Sequence, residues 1–198
     1  MTLLQNAGGP LAVACSPAAP STPMQPTRIV TLASDPSLQV LTATARGMIE
    51  GNFIRAAQRA FTELMSAVVE AGQHPAVRSR LGLLPDRPAS LNDARCRYVA
   101  GVIFGHDLSR QIGMPERPEL PLSGSLAWWP LAAGRYAVFT HQGPYDTLRS
   151  AWMAIYDDWL PHSGERLQLE VPPFELNLRT PDQVPAQALL TEIWLPLV

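Results

Sequence analysis

The chain is poor in cysteine, in charge and in long apolar runs, and each shortage removes a class of protein. Its two cysteines, Cys15 and Cys96, stand far apart, so no disulfide framework is implied and a reducing compartment, the cytoplasm, is expected. Charged residues make up 16% of the chain and leave a net charge of −2. That balance gives no electrostatic footprint for nucleic acid, and no direct nucleic-acid binding is expected. No stretch approaches the roughly 20 apolar residues that a membrane-spanning helix needs. His74, His106, His141 and His162 are dispersed, and no His, Cys, Asp or Glu cluster has metal-ligand spacing. Neither a Gly-rich phosphate loop nor a nucleophile elbow is present. No metal and no cofactor are expected.

What is there begins with a core. Apolar residues are 46% of 198, enough for one domain or one domain made of two fused halves. Residues 1–26 carry Pro10, Pro17, Pro20, Pro23 and Pro26 in an Ala/Ser-rich stretch and read as a disordered leader. The domain proper is expected over 27–198, with a first repeat over about 27–108, a polar Pro/Gly-containing linker over about 109–126 and a second repeat over about 127–198.

Periodicity defines the repeats. Arg28–Leu32 and Gln39–Ala45 read as strands. From Phe53 to Ala71, Phe53, Ala57, Ala60, Phe61, Leu64, Met65 and Val68 recur at spacings of three and four, which predicts an amphipathic helix. Gly72 follows as a left-handed stop. Ser79–Leu84 and Ala94–Phe104 read as strands. The second half repeats the order: a strand over Gly134–Gln142, a helix over Thr147–Leu160 with Leu148, Trp152, Ile155 and Trp159 on one face, then strands over Phe174–Leu178 and Glu192–Leu197. Strand–helix–strand–strand twice predicts an α+β fold. Two duplicated units pair about a pseudo-twofold axis, and an antiparallel sheet carries the helices on one face. The ligand cleft is then expected on the other face.

Strand phase nominates a site. In the last strand Ile193, Leu195 and Leu197 share one face and Glu192 and Trp194 the other. The aliphatic trio belongs to the helix-covered core, which turns Glu192 and Trp194 toward the expected cleft. A carboxylate on an aromatic surface needs a cation or strong donors. A ligand cation meets that need, with about 0.5–2 kcal/mol of cation–π attraction from indole or phenol faces. A structural acid bonded to backbone or to an arginine such as Arg97 meets it equally. Trp152 and Trp159 lie on the helix stripe, where core packing is the simpler role. Tyr156 lies beside that stripe, Tyr145 is borne on the Gly143-Pro144-Tyr145-Asp146 loop, and Tyr98 lies in a strand with either face open to it.

These motifs resemble the GyrI-like small-molecule-binding domain, which also forms the effector-binding part of AraC-type and MerR-type multidrug regulators. The likeness rests on Pro130 to Phe139, His141-Gln142-Gly143-Pro144-Tyr145, Ala151-Trp152, Trp159-Leu160-Pro161, Phe174-Glu175 and Leu189 to Leu197. In the first half Leu81 to Pro88 and Cys96 to Val102 also fit. The resemblance covers about Thr27 to Val198. It implies the duplicated fold with a ligand cleft between halves, and a pocket acid in the last strand that carries over to Glu192. Glu175 matches the family's Phe-Glu motif. An aromatic is frequent in the family where Asn177 stands here. The leader lacks helical periodicity and holds no helix-turn-helix, so the chain resembles the stand-alone branch.

The function expected from this resemblance is binding of amphipathic, cationic or aromatic small molecules, for drug sensing or sequestration. Glu192, Trp194, Tyr98, Tyr145, Tyr156, Trp152 and Glu175 are the candidate ligand contacts. Two alternatives accompany it. One is hydrolysis of strained cyclopropane-type DNA-alkylating compounds, with Glu192 or Glu175 as the acid. The other is a gyrase-inhibitor-like interaction protein acting on gyrase or a regulator as its protein partner. A monomer or a homodimer is expected.

Overall fold

A computed structural model describes residues 24–198; the expected leader and Cys15 fall almost wholly or entirely outside them. The first repeat contains β1 (Arg28–Leu32), β2 (Gln39–Arg46), α1 (Ile54–Glu70), β3 (Val77–Leu83) and β4 (Arg97–Asp107). After β5 (Ile112–Glu116), the second repeat contains β6 (Ala127–Pro130), β7 (Gly134–Gln142), a helical segment, β8 (Phe174–Arg179) and β9 (Leu190–Leu197). The helical segment starts as α2 (Leu148–Met153), passes through a π-helical stretch over Ala154–Trp159 and ends as α3 (Leu160–Ser163). All strands join one sheet, in the order β1-β7-β9-β8-β3-β4-β2-β6, with β5 paired to β4. The fold class is the expected α+β arrangement, and the sheet curls into a half-barrel.

The order is a palindrome of the two repeats about the β3–β8 pair. Leu81 faces Leu176, Gly82 faces Glu175 and Leu83 faces Phe174 across that seam. The leading strands are exchanged. β1 of the first repeat pairs with β7 of the second, and β6 of the second pairs with β2 of the first. Each half therefore supplies the backbone partners that the other half's outer strand lacks.

Alternation sends side chains to two faces. On the helix side, Ala56, Ala60, Leu64 and Val68 of α1 bury against Leu41, Ala43, Ala100, Val102 and Phe104. On the same side Leu148, Ala151, Ile155 and Trp159 bury against Ala137, Phe139, Ile193, Leu195 and Leu197. The aliphatic trio of β9 thus faces helix, as strand phase indicates. The opposite face closes on itself as the sheet curls. Leu81, Leu83, Val99, Ile103, Tyr136, Val138, Phe174, Leu176 and Trp194 form a third core there. Phe174 stacks on Trp194 with ring centroids 5.2 Å apart, and Tyr136 meets both edge-on at 5.6 and 5.8 Å. Each such pair contributes about 0.5–1.5 kcal/mol beyond its area.

The stretch read as a linker contains a strand. β4 last pairs with β2 at Val102 and runs on to Asp107, so its far edge would be bare. β5 covers it, with Phe104 opposite Glu116 and Asp107 opposite Ile112. Periodicity missed β5 because it is largely exposed, Met114 by 81%, and holds Gly113 and Pro115 in place of an apolar alternation. Trp128 and Trp129 lie in β6 and pack on opposite faces, against the α1 core and the interior core respectively.

One ion pair fastens the exchanged β1. Arg28 donates to both oxygens of Glu192, at 2.7 and 2.9 Å, and its guanidinium lies 5.6 Å from the Trp194 ring centre. Ser109 and the Trp194 indole N–H donate to the same carboxylate at 3.1 and 3.0 Å. Glu192 is buried while the Arg28 side chain keeps one-third of its exposure. Removing a partner from a buried pair costs about 3–5 kcal/mol; with Arg28 partly solvated, Arg28→Ala is expected to cost about 2–3 kcal/mol. Urea denaturation of Arg28→Ala, and of Arg28→Met with Glu192→Leu, checks this. The single variant should be the less stable of the two.

Candidate functional site

The two helices leave a gap between them, and the sheet floors it. The result is a cavity of about 1200 Å³ lined from α1, α2, β3, β8, the β3–β4 loop and the 167–173 segment. It lies on the helix side of the sheet, because the face on which the cleft was expected is filled by the interior core. α1 supplies two adjacent ridges, each of residues spaced four apart. Ala56, Ala60, Leu64 and Val68 go to the core, while Phe53, Ala57, Phe61 and Met65 line the cavity. The second helical segment works alike: Leu148 and Ala151 bury, and Trp152 of α2 and Tyr156 of the π-helical stretch, one turn apart, form the facing wall. Their rings stack at 5.7 Å and 18°.

The floor carries the acid. In β8, Phe174 and Leu176 point into the interior core, so Glu175 and Asn177 point into the cavity. Glu175 is buried, with 9% of its surface exposed. Its Oε1 accepts from the Trp152 indole N–H at 2.7 Å, and its Oε2 has no hydrogen-bond partner among the described residues. Burial raises its pKa from 4.5 to about 7, partly offset by the Trp152 bond. Tyr98 stands next to it from β4. Its ring lies 5.8 Å from that of Phe53 and 6.3 Å from that of Phe61. Burial and the Glu175 charge push its phenol well above the ordinary value. Tyr145 at the rim is pushed to about 12 for the same two reasons, and Tyr156 is raised by burial.

Of the candidate ligand contacts named from the sequence, the cavity brings together Glu175, Tyr98, Tyr145, Trp152 and Tyr156. Glu192 and Trp194 are not among its lining. They face the interior core, where Glu192 holds Arg28, so the geometry matches the structural-acid alternative with a different arginine. Arg97 instead forks onto Asp86 at 2.6–3.1 Å. The structure adds Phe53 and Phe61, which the helix stripe marks as core, and Asn177. The signal for the floor was present in Phe174-Glu175-Leu176-Asn177-Leu178, where three large apolar residues alternate with two polar ones. Among the described residues no three His, Cys, Asp or Glu side chains converge to hold a metal ion. No helix among them is long and apolar enough to cross a membrane.

Chemically, the site is an aromatic-walled chamber with one acceptor that titrates near neutrality and phenol donors around it. The raised pKa carries a stability consequence with a definite sign. The folded protein holds the Glu175 proton more tightly than the unfolded chain, so this contribution is present below about pH 4.5 and is lost as pH rises to about 7. Glu175→Gln, which stays neutral, is expected to be more stable than the parent at pH 8, by up to about 3 kcal/mol, and nearly equal to it at pH 4.5. Thermal melts at the two pH values check both halves of that statement.

Known structures share this architecture. The C-terminal domain of EcmrR superposes with a TM-score of 0.57 at 15% identity, over 86% of this chain and 94% of that one. EcmrR in its DNA complex gives 0.52 at 16% identity. This chain covers 55% of that longer protein, with 86% of its own length matched. A hydrolase from Listeria innocua gives 0.52 at 12% identity, over 90% of this chain and 94% of that one. At such identities the likeness is one of fold. The family model for the GyrI-like small molecule binding domain matches residues 26–198, nearly the whole of what the structure describes, and the chain belongs to that family.

Proposed function

We propose that this protein binds amphipathic aromatic cations in the chamber between its helices, with Glu175 as the acid that reads the charge, and so serves to sense or sequester such compounds. The observation that carries this reading is the free oxygen of Glu175 at the bottom of an aromatic chamber. A buried carboxylate with one donor is costly to ionise. An entering cation supplies the missing partner, and the faces of Trp152, Tyr156 and Tyr98 add cation–π attraction of about 0.5–2 kcal/mol each where they meet the charge. The volume of about 1200 Å³ accommodates drug-sized molecules. Membership of a small-molecule-binding family agrees with it.

A hydrolytic reading draws support from the same acid. A carboxyl group that titrates near 7 is matched to proton transfer at neutral pH, and Glu175 has an oxygen left with which to orient water onto a strained ring. Glu192 suits that role less, because both of its oxygens are engaged by donors. Mass analysis of a cyclopropane-bearing alkylator incubated with the protein separates the readings. Addition of water that depends on Glu175 marks an enzyme, and recovery of unchanged compound marks a binder.

For binding, the matched probes are N-benzylpyridinium, a permanent cation, and diphenylmethane, its neutral isostere. Tryptophan quenching should show Glu175→Gln weakening the cation by about 10–100-fold, worth ~1.4–2.8 kcal/mol, and shifting the neutral probe by less than about threefold. Only the ionised carboxylate attracts the cation. Its affinity should therefore rise about tenfold per pH unit up to about pH 7 and level off above, with a proton released on binding. Equal losses for both probes, or a flat pH profile, would exclude Glu175 as the charge-reading group.

A further inference from the structure

Gly82 sits in the middle of β3, where a glycine weakens a strand by roughly 0.5–1 kcal/mol relative to alanine. It does not have the positive φ that would call for glycine. The reason is space. A Cβ built at Gly82 would lie 2.0 Å from the Tyr98 hydroxyl oxygen, 2.4 Å from Cζ and 2.9 Å from Cε2. Register explains how the phenol gets there. Gly82 pairs with Ala100 on β4, so Tyr98, two residues away on the same face, is its diagonal neighbour and within reach of a long side chain. On the other flank Gly82 pairs directly with Glu175. Tyr98, Gly82 and Glu175 therefore form a row across the cavity floor. The phenol lies in the place of the missing side chain, one cross-strand step from the acid.

The Tyr98 hydroxyl has no hydrogen-bond partner among the described residues, and the residue lines the cavity although only 4% of its surface is exposed. The side chain is buried, but its hydroxyl oxygen is not among the buried polar atoms left without a partner, so it is accessible from the cavity, where an entering group can partner it. We infer that Gly82 is a positioning residue: it recesses Tyr98 into the floor so that the phenol O–H becomes a second fixed polar point beside Glu175. The chamber then selects aromatic cations that carry a hydrogen-bond acceptor, such as a carbonyl, a few atoms from the charge. This rests on the binding reading above and narrows its ligand class. The effect of the Glu175 charge on the Tyr98 phenol agrees with their proximity. The Trp152 N–H does not supply the same selection, since it is already spent on Glu175.

The test compares 1-benzylnicotinamidium (1-benzyl-3-carbamoylpyridinium), a permanent cation whose ring bears a carboxamide carbonyl, with N-benzylpyridinium, which lacks one. Wild type is expected to prefer the nicotinamide by about 3–10-fold, the worth of one neutral hydrogen bond of about 0.7–1.4 kcal/mol. Tyr98→Phe should abolish that preference, so that the two probes bind with equal affinity. Gly82→Ala should also abolish it, by driving the phenol off the floor. In a Tyr98→Leu background, where no phenol lies over Gly82, adding Gly82→Ala should leave both affinities within about twofold. A purely structural glycine would lower the melting temperature equally in both backgrounds and leave the probe ratio unchanged, which overturns the inference. So does a wild-type protein that binds both probes through Glu175 without preference; the binding reading survives that result. If neither probe binds wild type, the binding reading itself fails and this inference with it.

Discussion

The pairing of β3 with β8 is the constraint on which the rest of the structure depends. Three facing pairs join the two repeats there, and the two-residue period of a strand sends successive pairs to opposite faces. Leu81, Leu83, Phe174 and Leu176 turn inward and hold the interior core together. Gly82 and Glu175, between them, must then turn to the helix side. That side of the seam lies in the gap between helices packed over opposite halves of the sheet. A small residue and an acid in the gap leave a chamber, whereas two large apolar residues would fill it. A one-residue slip of β8 would bury the acid in the interior core and turn Phe174 and Leu176 into the chamber.

The molecule has two buried glutamates in the second repeat, and their surroundings give them different work. Glu192 receives both arms of the Arg28 guanidinium, the Ser109 hydroxyl and the Trp194 indole. It ties the exchanged β1 across β7 to β9. Glu175 receives one indole N–H and keeps an oxygen open to the cavity. Charge satisfaction of the first kind fixes a strand. Charge deficiency of the second kind, at a place a ligand can reach, is what burial in a binding site looks like.

Much of the frame was legible in the sequence. The helix stripes and the strand phase of β9 follow from spacing, and the aliphatic face of β9 does meet a helix. What spacing does not carry is the curl of the sheet. A flat two-layer sheet has one covered face and one open one, and on that picture Glu192 and Trp194 look onto a cleft. The curl closes the second face, and the open volume moves between the helices. For that reason Glu175, which the sequence marks only through the Phe174-Glu175 motif of the resemblance, is the acid in the chamber. The same limit hides Phe53 and Phe61: a ridge next to the buried ridge of α1 has the period of a core. Arg28 was unpredictable as the partner of Glu192, because the exchange of β1 into the other repeat is a matter of topology.

The chamber's parts are coupled through Trp152. Its ring stacks on Tyr156 to make the wall, and its N–H donates to Glu175 on the floor. The helix that carries both aromatics changes to π geometry from Ala154 to Trp159, directly after Trp152 and across Tyr156, a form found in short pieces and often at functional positions. The indole bond favours the ionised acid, and the surrounding apolar surface favours the neutral one. Near pH 7 these balance, so a modest electrostatic input from inside the chamber decides the charge state of Glu175. When the carboxylate ionises, its bond to Trp152 strengthens as a charge-assisted one, and the wall is held more firmly against the floor. On the proposed binding reading, an entering cation would do more than meet a waiting charge: by ionising Glu175 it would tighten the aromatic wall against its own ring.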